Sequence, residues 1–179
     1  MSNASPRIRP ARADDLPAIA AIYDAIHTEE EAGRASIGWI RDVYPTAHTA
    51  REALLANDLF VVEEDGFVSG AARINRIQVP VYANAHWLYS ADETQVMVLH
   101  TLVIDPKRAG RGLARSFVAY YEAFALERGC PVLRMDTNEK NAAARSLYRK
   151  LGYREADVVP CVFNVIPDVR LVCLEKKLS

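Results

Sequence analysis

No window of the chain approaches the ~18 consecutive apolar residues that a membrane-spanning helix requires, and the opening MSNASPRIRP lacks the apolar core of a secretory leader. Neither a membrane protein nor an exported one is expected. Charge of one sign is also missing: 22 Lys and Arg face 23 Asp and Glu, for a net charge of -1. Nucleic-acid binding through bulk charge therefore has no support. Cysteine is scarce. Cys130, Cys161 and Cys173 stand in apolar surroundings with neither a CxxC pair nor Cys/His ligand spacing, so neither a disulfide framework nor a metal site is indicated. A reducing, cytoplasmic compartment is the default. No internal repeat and no low-complexity segment interrupts the chain.

What is present is an ordinary globular composition, half hydrophobic and a quarter charged, in 179 residues. That length suits one domain spanning residues 1–179 with a core of its own. RIRPAR predicts a short first strand. An amphipathic helix follows from near Asp14 or Asp15, with Leu16, Ile19, Tyr23 and Ile26 at helical spacing and Pro17 in the first turn. SIGWIRDVYP and TAREALLAND predict a second helical region interrupted at Pro45. DLFVVEE and FVSGAARIN, joined by Glu64-Asp65-Gly66, predict a β-hairpin. Residues 78–93 fit no period and are expected to form an irregular loop lining a site. Beyond it come a strand in TQVMVLHTLVID, a glycine loop, and a helix striped with Leu113, Phe117, Tyr121 and Phe124 that Gly129 ends. A strand in CPVLRMDT, a helix in NAAARSLYRKLG and a last strand in VRLVCLEKK complete the order, with CVFNV as that strand's hairpin partner.

The glycine loop DPKRAGRGLARS, placed between a strand and a helix, suggests an anion cradle. A dinucleotide fingerprint beginning at Gly110 and Gly112 needs Gly or Ala at position 115, where Arg115 stands. A P-loop needs Gly-Lys-Ser/Thr, which the chain does not contain. There remains a turn whose backbone N–H groups open a helix near Leu113. Ala114 leaves room there, and Arg108, Arg111 and Arg115 can bind phosphate oxygens; a plain solvated turn is the alternative.

VLHTLVIDPKRAGRGLARSFV followed by LRMDTNEKNAAARSLYRKLGYRE resembles the two core motifs of the GNAT superfamily of acyl-CoA-dependent N-acyltransferases. Gly112 and Ala114 fall on the G-x-G/A pair of the family's first motif, Q/R-x-x-G-x-G/A, and Ala109 departs from its Gln or Arg. Asn141, Ala144, Leu147, Tyr148, Gly152 and Tyr153 match N-x-x-A-x-x-L-Y-x-x-x-G-F/Y at every spacing. The resemblance implies an α/β fold: a mixed, mostly antiparallel sheet of six or seven strands, splayed at its centre and flanked by about four helices.

It also implies acetyl-CoA as co-substrate. Leu102, Val103 and Ile104 would pair with its pantetheine arm, the segment from Gly110 through Arg111, Gly112, Leu113 and Ala114 to Arg115 would hold its pyrophosphate, and Arg108 would stand in for the missing side chain at 109. Asn141 would contact the cofactor, with helix N-capping as the alternative role. Tyr148 would be the acid that protonates the leaving thiolate, with a core aromatic as the alternative. The family's Glu on the strand before the loop falls at Val98. His100, two residues on and on the same strand face, is the expected base, with Glu93 and Asp136 behind it.

A small-molecule amine is the expected acceptor, with Tyr23, Glu29, Glu30, Glu31, Trp39, Tyr44, Tyr82, His86 and Trp87 as an aromatic or acidic wall, a solvated helix end and ordinary packing being the alternative. A protein N-terminal or lysine acetyltransferase and a non-catalytic CoA sensor are the competing functions. Dimers are common in the family, so a homodimer is among the expected assemblies.

Overall fold

Asp65 and Gly66 take positive φ angles of 53° and 80°, so the chain reverses there in a tight turn between two strands. The computed structural model describes residues 6–179; residues 1–5, the head of the stretch read for a leader, lie outside the described residues. The strands are β1 (Arg7–Pro10), β2 (Leu59–Glu64), β3 (Phe67–Asn75), β4 (Val96–Ile104), β5 (Val132–Asn138), β6 (Arg154–Phe163) and β7 (Ile166–Lys177). The helices are α1 (Leu16–Glu31), α2 (Ala47–Leu55), α3 (Leu113–Glu127) and α4 (Ala142–Lys150). The sheet has seven strands in the order β1-β2-β3-β4-β5-β7-β6. β4 and β5 run parallel, whereas β1–β2, β2–β3, β5–β7 and β6–β7 run antiparallel. The expected α/β architecture with a mostly antiparallel sheet and four helices is what the chain forms.

The chain gathers into two compact units made of interleaved segments. The first takes residues up to Ala35, Trp39–Ile74 and Thr101–Tyr120. Its core packs Ile19, Ile22 and Tyr23 of α1 and Ala50 and Ala53 of α2 against Leu59, Val61, Ala71 and Val103 of the sheet. These α1 residues recur at helical spacing, so α1 buries one face, whereas β2 buries both, Phe60 and Val62 being buried on the side opposite Leu59 and Val61. Arg9 fastens the entry to α1: its guanidinium donates to both Asp15 oxygens at 2.7 and 3.0 Å and to Glu63 at 3.0 Å. Thr46 and Thr49 cap α2 reciprocally, each hydroxyl accepting the other's backbone N–H.

The second helical region begins later than its sequence suggests. Residues 36–46 form turns and an isolated bridge from Ile40 to Tyr44 instead of a helix. Gly38 (φ 74°) and Asp42 (φ 62°) are left-handed, and neither continues a right-handed helix.

The second unit takes Ser36–Gly38, Asn75–His100 and Tyr121–Ser179. Its core joins Val96, Val98, Val132, Val159 and Cys173 of the sheet to Tyr82, with Trp87 and Tyr89 packed beside them. The segment 76–95 is the expected irregular loop, apart from short 3-10 turns at Pro80–Asn84 and Glu93–Gln95. Fully buried Glu175 accepts from the backbone N–H groups of Leu88 (2.8 Å) and Tyr89 (3.2 Å). Arg134 lies over the Trp87 ring at 4.2 Å and donates to Gln78 and to the Tyr89 carbonyl. The hairpin partner of β7 is also longer than CVFNV: β6 starts at Arg154, and register shifts at Glu155/Asp157 and Cys161/Phe163 hide its alternation.

Candidate active site

In the first unit, β4 ends beside a close approach. A Cβ at Gly70 would fall 2.7 Å from the Val103 carbonyl oxygen and 2.6 Å from Ile104 Cδ1, so only glycine lets β3 lie there. The Asp105 N–H donates to the Ser69 carbonyl at 2.9 Å. Residues 103 and 105 thus direct backbone polar groups toward β3, and strand alternation directs those of Leu102 and Ile104 to the opposite edge. Of the three residues expected to pair with an extended amide chain, Leu102 and Ile104 have the matching orientation, whereas the Val103 carbonyl faces β3. Just upstream, Thr101 has φ 54° inside the strand. A β-branched residue in the left-handed region is costly. Its hydroxyl is hydrogen-bonded to the Tyr44 hydroxyl.

The loop beyond β4 turns on Gly110 and Gly112, both at φ 79°, with open space where side chains would be. Ser116 N–H donates to the Gly112 carbonyl at 3.0 Å, so Gly112 caps α3. The N–H groups of Leu113, Ala114 and Arg115 fall in the first turn, where a helix offers unpaired donors. Arg108 and Arg111 both donate to Glu64 Oε2, at 3.0 and 3.2 Å, and the Arg108 guanidinium sits 5.4 Å from the Phe67 ring centre. Arg115 is exposed. The open, glycine-lined turn at a helix start offers backbone donors of the kind an anion takes, with Arg115 exposed beside it and Arg108 and Arg111 held on Glu64. The sequence marks Glu64 only as part of the hairpin turn, because its contact to Arg108 spans 44 positions.

In the second unit, Asn141 caps α4: its Oδ1 accepts from the Ala144 N–H at 3.1 Å, leaving the side-chain amide hydrogens for another partner. Tyr148 is 7 % exposed and packs edge-on against Tyr153. Burial, reinforced by the charge of Asp136, raises its pKa above the usual tyrosine value. The other buried tyrosines of this unit have committed hydroxyls. Tyr82 donates to Asp136 at 2.7 Å, Tyr121 to the Met97 carbonyl at 2.7 Å, and Tyr153 to Glu122 at 3.0 Å. Among the described residues, the Tyr148 hydroxyl has no such partner.

His100 Nε2 is hydrogen-bonded to Asn75 Oδ1 at 2.9 Å; with a carbonyl oxygen as acceptor, Nε2 carries the hydrogen and Nδ1 the lone pair. The β4–β5 register ends at Leu99 opposite Met135. His100 and Asp136, each next in its strand, therefore fall on one face of the sheet. Burial pushes the Asp136 carboxyl up to about 6 against the opposing hydrogen bond from Tyr82.

The expected acidic wall is spent on partners: Glu29 pairs with Arg34 at 2.7 Å and Glu31 with Arg41 at 2.8 Å. Trp39 and Tyr44 stack edge-on at 5.9 Å. A cavity of about 190 Å³ lies between the end of β5 and the β6–β7 turn, lined by Gly38, Asn138, Lys140, Ile166 and Arg170 among others. Among the described residues no group of three His, Cys, Asp or Glu side chains could hold a metal ion, and no helix is long and apolar enough to cross a membrane.

A strand with a backbone edge at Leu102 and Ile104 that runs into a glycine turn at a helix start is the arrangement of the expected family's first motif. The chain belongs to the acetyltransferase (GNAT) family, whose model matches residues 19–153. A GNAT-family acetyltransferase from Streptococcus agalactiae superposes with a TM-score of 0.80 at 26 % identity, covering 99 % of this chain and 98 % of that one. The structure of yncA from Salmonella typhimurium with its cofactor acetyl-CoA matches with a TM-score of 0.69 at 20 % identity, over 98 % and 95 % of the two chains, a likeness of fold alone. By sequence, an uncharacterized N-acetyltransferase from Methanocaldococcus jannaschii is 26 % identical over 98 residues, 54 % of this chain and 42 % of that protein. The match thus spans less than half the length of that curated relative.

Proposed function

We propose that the chain works as a single domain that transfers an acetyl group from acetyl-CoA to a primary amine by direct attack within a ternary complex. When bound, acetyl-CoA supplies an activated thioester; the protein supplies placement and proton transfer. The backbone edge at Leu102 and Ile104 suits the amide-rich arm, and Val103 fixes that edge against β3. The cradle from Gly110 to Arg115 suits the pyrophosphate, with Arg108 adding charge, and the free amide hydrogens of Asn141 suit a cofactor carbonyl. Three free cysteines fit the cytoplasm, and a homodimer is the assembly to test.

The observation that carries the reading is the uncommitted hydroxyl of Tyr148 at the family's acid position. A buried phenol whose pKa is held high stays protonated at neutral pH and can give its proton to a departing thiolate. In the same unit Tyr82, Tyr121 and Tyr153 spend their hydroxyls on the protein, whereas core Tyr23 of the first unit also keeps its hydroxyl unspent, so it is the free hydroxyl together with the motif position that marks Tyr148. Tyr148→Phe tests this. It is expected to leave acetyl-CoA affinity intact and to lower kcat by ~100-fold or more; full turnover in the variant would remove the acid role. On the amine side, His100 and Asp136 are the candidate proton acceptors, His100 being hydrogen-bonded through Nε2 to Asn75. A protein N-terminal or lysine acceptor remains the second reading of the same chemistry. Binding of acetyl-CoA with no release of thiol to any amine would instead make the chain a CoA sensor.

A further inference from the structure

We propose that Asp136, held by Tyr82, is the general base that takes the proton from the incoming amine; this rests on the acetyltransferase reading above. Asp136 stands on β5 one residue past Met135, the last residue paired with β4, and opposite Cys173 of β7. Among the described residues Tyr82 is its one hydrogen-bond donor, at 2.7 Å, and it takes Oδ2. Oδ1 accepts from no donor among the described residues, and Asp136 is half-buried as a residue while burial dominates the environment of its carboxyl.

Tyr82 is itself fixed. Its ring is 2 % exposed, lies 5.2 Å from the Trp87 ring centre, and its carbonyl accepts from Trp87 Nε1 at 2.9 Å. Trp87 is in turn covered by Arg134, and the next two residues are tied to Glu175. The loop 76–95 therefore aims one oxygen of Asp136 and immobilises the other, as a general base requires.

Tyrosines, cysteines and His100 face Asp136, and the nearby carboxylates are tied to partners, Asp157 to His86 at 2.6 Å and Glu175 to Arg154. Tyr82 and Tyr148 are both raised above the usual tyrosine value, chiefly by burial. Cys173 on β7 is pushed up to about 12 and Cys161 on β6 is also raised, both by burial and then by the Asp136 charge. His100 lies on the same sheet face from β4 and is the rival base. Asp136 itself, at about 6, is ionised at neutral pH yet basic enough to accept a proton.

The protons balance. Asp136 takes the first proton of the ammonium group and later releases it to solvent. The freed nitrogen lone pair forms the N–C bond as the C–S bond breaks. The sulfur electron pair takes the Tyr148 proton, and the second amine proton, lost as the amide forms, restores the Tyr148 hydroxyl.

The test compares wild type, Asp136→Asn, Tyr82→Phe and His100→Asn, measuring kcat against pH with acetyl-CoA and a panel of spermidine, benzylamine, lysine and a glycine-terminated peptide. Wild type should lose activity as pH falls through about 6. Asp136→Asn should bind acetyl-CoA unchanged, lose ~100-fold or more in kcat and lose that acid limb. Tyr82→Phe removes the hydrogen bond that lowers the Asp136 pKa, so its acid limb should move to higher pH, an effect that loss of packing alone would not produce. An acid limb that survives in Asp136→Asn and disappears in His100→Asn overturns the proposal while sparing the acetyltransferase reading. No thiol release by wild type with any of these amines sinks that reading and the proposal with it.

Discussion

Asp136 and Tyr148 stand in one unit and burial raises both, but with opposite consequences at neutral pH: the phenol keeps its proton, whereas the carboxyl gives its proton up against a desolvation cost. The folded Asp136 titrates at about 6 against the usual 3.8. Between those values the folded chain holds more protons than the unfolded one, so stability falls as pH rises through the window and the full cost stands above it. At about 1.4 kcal/mol per unit, roughly two units set a ceiling of about 3 kcal/mol, lowered by the residue's partial solvent access. Asp136→Asn is therefore expected to be more stable than wild type in urea at pH 7.5, with the gap closing below about pH 4. A variant less stable than wild type at both pH values would contradict the buried-charge account. Asn141 and Tyr148 were legible because they match the spacing of the family's second motif, and it is the resemblance that implied their roles. The setting of Asp136 was not, since Tyr82, which aims it, is 54 positions away.

Individual elements were legible where chain chemistry is local. The Asp-Gly hairpin, the strand before the glycine loop and the Asn141-capped helix follow from residues within each segment. The turns at 36–46 escaped because apolar spacing there resembles a helix, while Gly38 and Asp42 take left-handed angles that spacing does not report. The fastening of loop 76–95 left only a trace: Arg134 and Glu175, charges set inside apolar strand runs. The glycine loop yields a prediction at this scale. Gly112→Ala forces an L side chain to φ 79° without a clash, so its cost should be conformational, about 1 kcal/mol. Gly33→Ala, at φ 70° in equally open space, should lose similar stability. Only Gly112→Ala should also weaken acetyl-CoA binding, as calorimetry would show. Equal affinity in both variants would argue that the loop is a plain turn.

Across the whole molecule, the family model reaches from α1 to just past α4, so the cradle and the Tyr148 helix both lie inside it. The parts expected to choose the acceptor are the individual ones. Glu29 and Glu31 are tied to arginines, and the aromatics Tyr23 and Tyr82 are buried. Selection of a cation by a free acidic wall thus has less support than the sequence suggested. A ligand that binds only the native state stabilises it by mass action, about 2.7 kcal/mol at a hundredfold excess over Kd, so acetyl-CoA should raise the melting temperature of the full chain. The most direct measurement is free thiol released from acetyl-CoA over a panel of primary amines, with the products weighed by mass spectrometry. The account predicts that at least one amine gives thiol and N-acetylated product in equal amounts, at a rate that Tyr148→Phe lowers by ~100-fold or more. Acetyl-CoA that stabilises the protein yet releases no thiol to any amine would contradict it.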